Sequence, residues 1–173
     1  MTQIMLEVGS NSLAPVQSAI ESALADLGYT IEVLQTEDTS GLKYRLADAD
    51  LDAVCARLAT GELSSVRLRS DGADVAWALL FGPTFGSDCP RPWTGALELR
   101  HTQYRPLFEQ LVKGKDLDFV VVSQEETLDL TPAAITSTTF PWNDWRLIMA
   151  ALPSGSAQNQ EWVIRAGPAG GRK

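Results

Sequence analysis

Apolar residues recur along this chain with two different periods, and the switches between them mark the elements. "IMLEV" is a short apolar run, read as a first strand. In "NSLAPVQSAIESALADLGYT", Val16, Ile20, Leu24 and Leu27 return at helical spacing, with Ala19 and Ala23 on the same side. Asn11 or Ser12 can cap that helix, Pro15 suits its first turn, and Gly28 is placed to end it. The next two runs alternate instead. Ile31 and Val33 share one face of "TIEVLQ", while Leu42, Tyr44 and Leu46 share one face of "GLKYRLA", which predicts a hairpin across "TEDTSG". "DADLDAVCARLATG" returns to the helical period: Leu51, Val54, Cys55 and Leu58 form its stripe, and Gly61 closes it.

The second half reads mainly as strands. "LSSVRLRS" and "VAWALLFG" flank the turn "SDGAD", and the second of them is apolar enough to be buried on both faces. "PTFGSDCPRPWTG" is a loop, because its prolines and glycines break any ladder. "ALELR" is a strand. "YRPLFEQLVKG" is a third helix, with Tyr104, Phe108 and Leu111 on one side and Gly114 at its end. "LDFVVVS" is a central strand, and "QEETLDLTPAAITSTTFPWND" is a long connection without a clean period. "WRLIMAAL" and "EWVIRAG" close the chain as strands joined by a polar turn.

The expected architecture is therefore α+β, a mostly antiparallel sheet with three helices. The βαββαβ order of the first 70 residues predicts a ferredoxin-like half, extended by further strands. Residues 1–167 are expected to form a single domain and 168–173 a disordered tail.

Charge narrows the partners. The net charge of −8 disfavours nucleic acid and anionic membrane surfaces, both of which need a basic face. No apolar run is long enough to cross a bilayer and the N-terminus lacks the pattern of a signal peptide, so a cytoplasmic setting is expected. The acids are unevenly placed: residues 116 to 145 hold six of them and no base. Such a stretch can present a negative surface to a basic partner.

Recognisable catalytic kits are missing. His101 and Cys89 stand near the start of the third helix, but no nucleophile motif presents either of them. "DADLDA" begins like a calcium loop but has Ala53 where the glycine belongs, and one histidine with two distant cysteines makes no zinc tetrad. "GPAGG" follows the last strand and is no phosphate loop. Cys55, on a helical apolar stripe, is core filler. Neither metal nor cofactor is expected, and the chain is not expected to be an enzyme.

Tryptophans and acids remain. Trp145 opens an apolar strand and is expected to pack. Trp142 and Trp93 fall in irregular segments, where a tryptophan either plugs the core edge or anchors a partner. Trp142, Asp144, Glu125, Glu126, Asp129 and Trp93 are the expected partner-binding residues: rings for a desolvated centre, carboxylates for steering and pairing.

The helix "YRPLFEQLVKGKDLDFVVVS" with its following strand, and then "FPWNDWRLIMAAL", resemble in layout the immunity proteins that accompany bacterial polymorphic toxins and contact-delivered effectors. The resemblance covers about fifty residues and implies tight one-to-one binding to a cognate toxin or effector domain. Two other classes stay open: a small-ligand or regulatory module, and a small enzyme using Cys89, Arg91, His101 or scattered acids.

Overall fold

The computed structural model describes residues 3–26, 31–38, 43–44, 51–70, 75–83, 92–99, 104–113, 117–128, 130, 135–136, 138–153 and 162–170. Its strands are β1 (Ile4–Ser10), β2 (Ile31–Asp38), β3 (Lys43–Tyr44), β4 (Leu63–Ser70), β5 (Val75–Phe81), β6 (Trp93–Leu99), β7 (Phe119–Gln124), β8 (Leu147–Pro153) and β9 (Trp162–Ala166). Its helices are α1 (Leu13–Asp26), α2 (Leu51–Ala59) and α3 (Tyr104–Lys113). The strands form one sheet in the order β3-β2-β4-β5-β6-β1-β7-β8-β9. Every neighbouring pair is antiparallel. The α+β class and its three helices are as the hydrophobic pattern predicts.

Strand order departs from the ferredoxin-like expectation. β1 does not join β2 and β4; it lies between β6 and β7, with β5 and β6 separating it from β4. All seven of its residues are buried, so β1 is the spine of the sheet and not part of a separate first half. The pattern of "IMLEV" cannot reveal this, because a strand covered on both faces shows no alternation that names its neighbours.

The three helices cover one face. Val16, Ile20 and Leu24 of α1, Val54 and Leu58 of α2, and Leu107, Phe108 and Leu111 of α3 join Leu6, Val8, Leu80, Leu97 and Val122 in the larger core. α2 ends as its glycine predicts. Gly61 has φ +84° and donates to the Leu58 carbonyl at 3.2 Å, and Glu62 donates to Arg57 at 3.1 Å, so two terminal carbonyls are satisfied. α1 and α3 do not close on one another. A cleft of about 230 Å³ is left between them, floored by Ala23, Leu107, Leu111 and Leu117.

The other face carries a second core over β7 and β8. Phe119, Val121, Leu147, Ala150 and Leu152 of the sheet are covered by Leu128, Leu130 and Phe140, with Ile135 and Trp142 at the margin. The described residues of the aperiodic connection after β7 thus serve as a strap across the sheet. Beyond β9, Gly167 donates to Ile148 at 2.9 Å and Ala169 to Leu147 at 2.9 Å, so residues 168–170 of the expected tail stay bonded to β8 through this turn, while 171–173 lie outside the described residues.

Cys55 is 2% exposed on the inner side of α2, and burial, with Glu21 and Asp52 nearby, pushes its thiol up to about 12. Thiolate is the reactive form, so Cys55 is expected to resist iodoacetamide at pH 8 until the fold opens. Peptide mapping after labelling, with and without urea, checks this; fast labelling in the native protein would contradict it.

Candidate functional site

The strap is fastened by residues that the chain brings from far apart. Glu7, in the middle of β1, is 3% exposed, and its Oε1 accepts the Leu128 backbone N–H at 3.1 Å. A buried carboxylate needs such a partner, and this one draws the start of the strap down onto the sheet. Directly after β7 the chain reverses through Glu125. That residue has φ 71°, and Glu126 donates to the Gln124 carbonyl at 2.8 Å across it, forming a three-residue γ-turn. Glu125 also donates its own N–H to the Gln3 carbonyl at 2.8 Å. A positive φ is costly for a residue with a Cβ, and these bonds hold it.

At the other end, two β-turns follow one another. Asp144 donates to the Pro141 carbonyl at 3.1 Å, and Leu147 donates to the Asp144 carbonyl at 3.1 Å. Arg146 ties this end to the beginning. Its Nε donates to Asp144 Oδ1 at 3.0 Å and its Nη2 to Oδ2 at 2.8 Å, a two-pronged clasp. Its backbone N–H also donates to Oδ1, at 2.9 Å. The remaining prong, Nη1, reaches Glu126 Oε2 at 3.2 Å and the Thr127 carbonyl at 3.1 Å. Hydrogen bonding from Arg146 holds the Asp144 carboxyl below its ordinary range, although partial burial opposes this, and Asp144 in turn raises Arg146.

These contacts reverse the roles expected of the two neighbouring tryptophans. Trp142 is half-buried: its ring meets Phe140 with centroids 4.7 Å apart, and the Arg165 guanidinium lies 5.0 Å from its centroid. It plugs the edge of the second core and is not a free anchor. Trp145 is the outward ring, 57% exposed. It occupies the second position of the Asp144–Leu147 turn, ahead of the strand, so its side chain leaves the surface and does not pack beneath it. Trp93 also proves to be packing. It is the first residue of β6, not part of a loop, and is half-buried against the larger core.

Of the expected carboxylates, Asp144 is half-buried and committed to Arg146. Glu126 is paired with the same arginine but 72% exposed, so that pair adds little. Glu125 is exposed and makes no ion pair among the described residues. Asp129, Cys89, Arg91 and His101 lie outside the described residues. Among the described residues no group of three or more His, Cys, Asp or Glu side chains could hold a metal. No helix among them is long and apolar enough to cross a membrane.

Sequence reasoning missed Glu7 and Arg146. An acid in the middle of an apolar strand was the available signal for Glu7. Arg146 stands one position beyond the base-free stretch, and nothing in spacing alone shows that it folds back over it. Comparison with protein-family models, curated proteins and solved structures finds no match.

Proposed function

We propose that the protein is an immunity-type inhibitor, binding a cognate basic toxin or effector domain in the bacterial cytoplasm. The exposed Trp145 ring supports this reading best, since it stands on a turn pinned by the Asp144–Arg146 clasp, next to the outward carboxylates of Glu125 and Glu126. A large ring whose backbone is already fixed loses little freedom on docking. An indole seated in a partner's apolar slot, with Lys or Arg around the slot meeting Glu125 and Glu126, has the composition of an interface hot spot. The part first assigned to Trp142 passes to Trp145.

The test begins with the adjacent gene. Its product is expected to be toxic when expressed alone and harmless when this chain is co-expressed. In the purified complex, Trp145→Ala should weaken binding roughly thirtyfold, mainly through faster dissociation, as hot-spot tryptophans do. Glu125→Lys should slow association, with the difference shrinking as salt is raised. A complex indifferent to both changes would rule out this surface. A neighbour that is harmless, or not neutralised, would remove the immunity reading altogether. A small-ligand or regulatory module is the second reading, and the cleft between α1 and α3 favours it.

A further inference from the structure

The cleft between α1 and α3 has a consistent chemical character. Its floor is apolar, with Ala23, Leu107, Leu111 and Leu117 all buried. Its rim on α1 carries the exposed hydroxyls of Ser18 and Ser22, and one end is closed by Asp26, to whose Oδ2 Gln110 donates from α3. Side chains that could fill the gap are absent, because α1 turns Ala19, Ser22 and Ala23 toward it.

The end at Asp26 is electrostatically unusual. Asp26 is the last residue of α1, where the helix dipole presents its negative pole, and no basic residue stands in that last turn. An acid there works against the helix, and departures of this kind collect at functional sites. Gln110 donates to Oδ2, and no ion pair to Asp26 is found among the described residues.

We infer that this cleft binds a small amphipathic cation, a primary amine on a short aryl or alkyl body. The body lies over Ala23, Leu107 and Leu111, and the ammonium group meets the Asp26 carboxylate and the negative pole of α1. Size agrees: a cavity of roughly 150 Å³ accepts a benzene-sized body, and about 230 Å³ accommodates that body with a short aminoalkyl arm. This site lies on the helical face, away from the strap, and does not depend on the immunity reading.

Phenethylamine is a suitable probe, with 2-phenylethanol and 3-phenylpropionate as its neutral and anionic counterparts. Methyl NMR should show saturable shifts at Ala19, Ala23 and Leu107, with the amine binding at least tenfold more tightly than the alcohol and the carboxylate not binding. Asp26→Asn should cut amine affinity about tenfold and leave the alcohol unchanged. Ala19→Leu should fill the cleft and abolish the shifts. Should that variant fail to fold, Ser22→Leu, at an exposed helical position, blocks the same opening without entering the core. Absence of saturable shifts, equal affinity for amine and carboxylate, or unchanged binding by Ser22→Leu would each overturn the inference. Toxin neutralisation by the Ser22→Leu variant should be unimpaired, so loss of one property does not mimic loss of the other.

Discussion

Gly9→Ala should destabilise the protein by about 3 kcal/mol, at the upper end of overpacking costs. Gly9 lies on the spine strand β1, opposite Phe119 on β7, and the Phe119 ring lies across it. A Cβ at residue 9 would stand 2.0 Å from Phe119 Cε1 and 2.3 Å from Cζ. The ring cannot swing clear, because Phe119 is 1% exposed and enclosed in the second core. Urea denaturation of the two proteins measures the difference. Phe119→Leu in the Gly9→Ala background should recover part of the loss, since the shorter side chain vacates the clash. A cost below about 1 kcal/mol for Gly9→Ala would mean the ring is not held there.

Arg146→Ala is the second large effect, again about 3 kcal/mol, the scale of a broken, partly buried ion pair. The change removes both prongs to Asp144, the contact with Glu126 and the donor to the Thr127 carbonyl. It leaves Asp144, only 18% exposed at its side chain, without its counter-charge. The pH dependence has a definite sign. Asp144 is held below its ordinary range when folded, so its stabilisation is complete above the unfolded-state value and is lost as pH falls through the folded one. The wild-type protein should therefore lose stability on acidification through this range, and Arg146→Ala should show a shallower acid limb. Denaturation midpoints measured from pH 7 down to pH 3 decide the matter; parallel curves would show that the clasp contributes nothing.

Much of the fold was legible because period and punctuation agreed. The stripe Val16, Ile20, Leu24 is the buried side of α1, and Val54, Cys55 and Leu58 are that of α2. Gly61 ends α2 in the left-handed conformation that its position implied. Strand neighbours were not legible, because a strand buried on both faces carries no record of what flanks it. β1 could therefore be recognised as a strand but not placed between β6 and β7.

The candidate site was half legible for a related reason. "PWNDW" announces a turn, yet whether a tryptophan points in or out depends on which residue begins the ladder. Asp144 and Arg146 close the turn around Trp145, so the strand begins at Leu147, and the ring expected inside stands outside. Trp142, two residues into the first turn, is drawn inward by Phe140 and Arg165, partners that sequence spacing does not disclose. The charge pattern likewise overstated the free acid, since Arg146 folds back to neutralise Asp144.

The position of β1 also bears on how the molecule is made. Ile4 pairs with Leu99 on one side and Gln124 on the other, so this strand is translated long before either neighbour exists. While the ribosome is still working through β2, β4 and β5, the segment Ile4–Ser10 has no ladder to enter and must wait with its apolar side chains uncovered. Assembly of the sheet centre is then a late, long-range event. A nascent chain arrested before Trp93 should accordingly be protease-sensitive at its first strand, and release past Gln124 should close it.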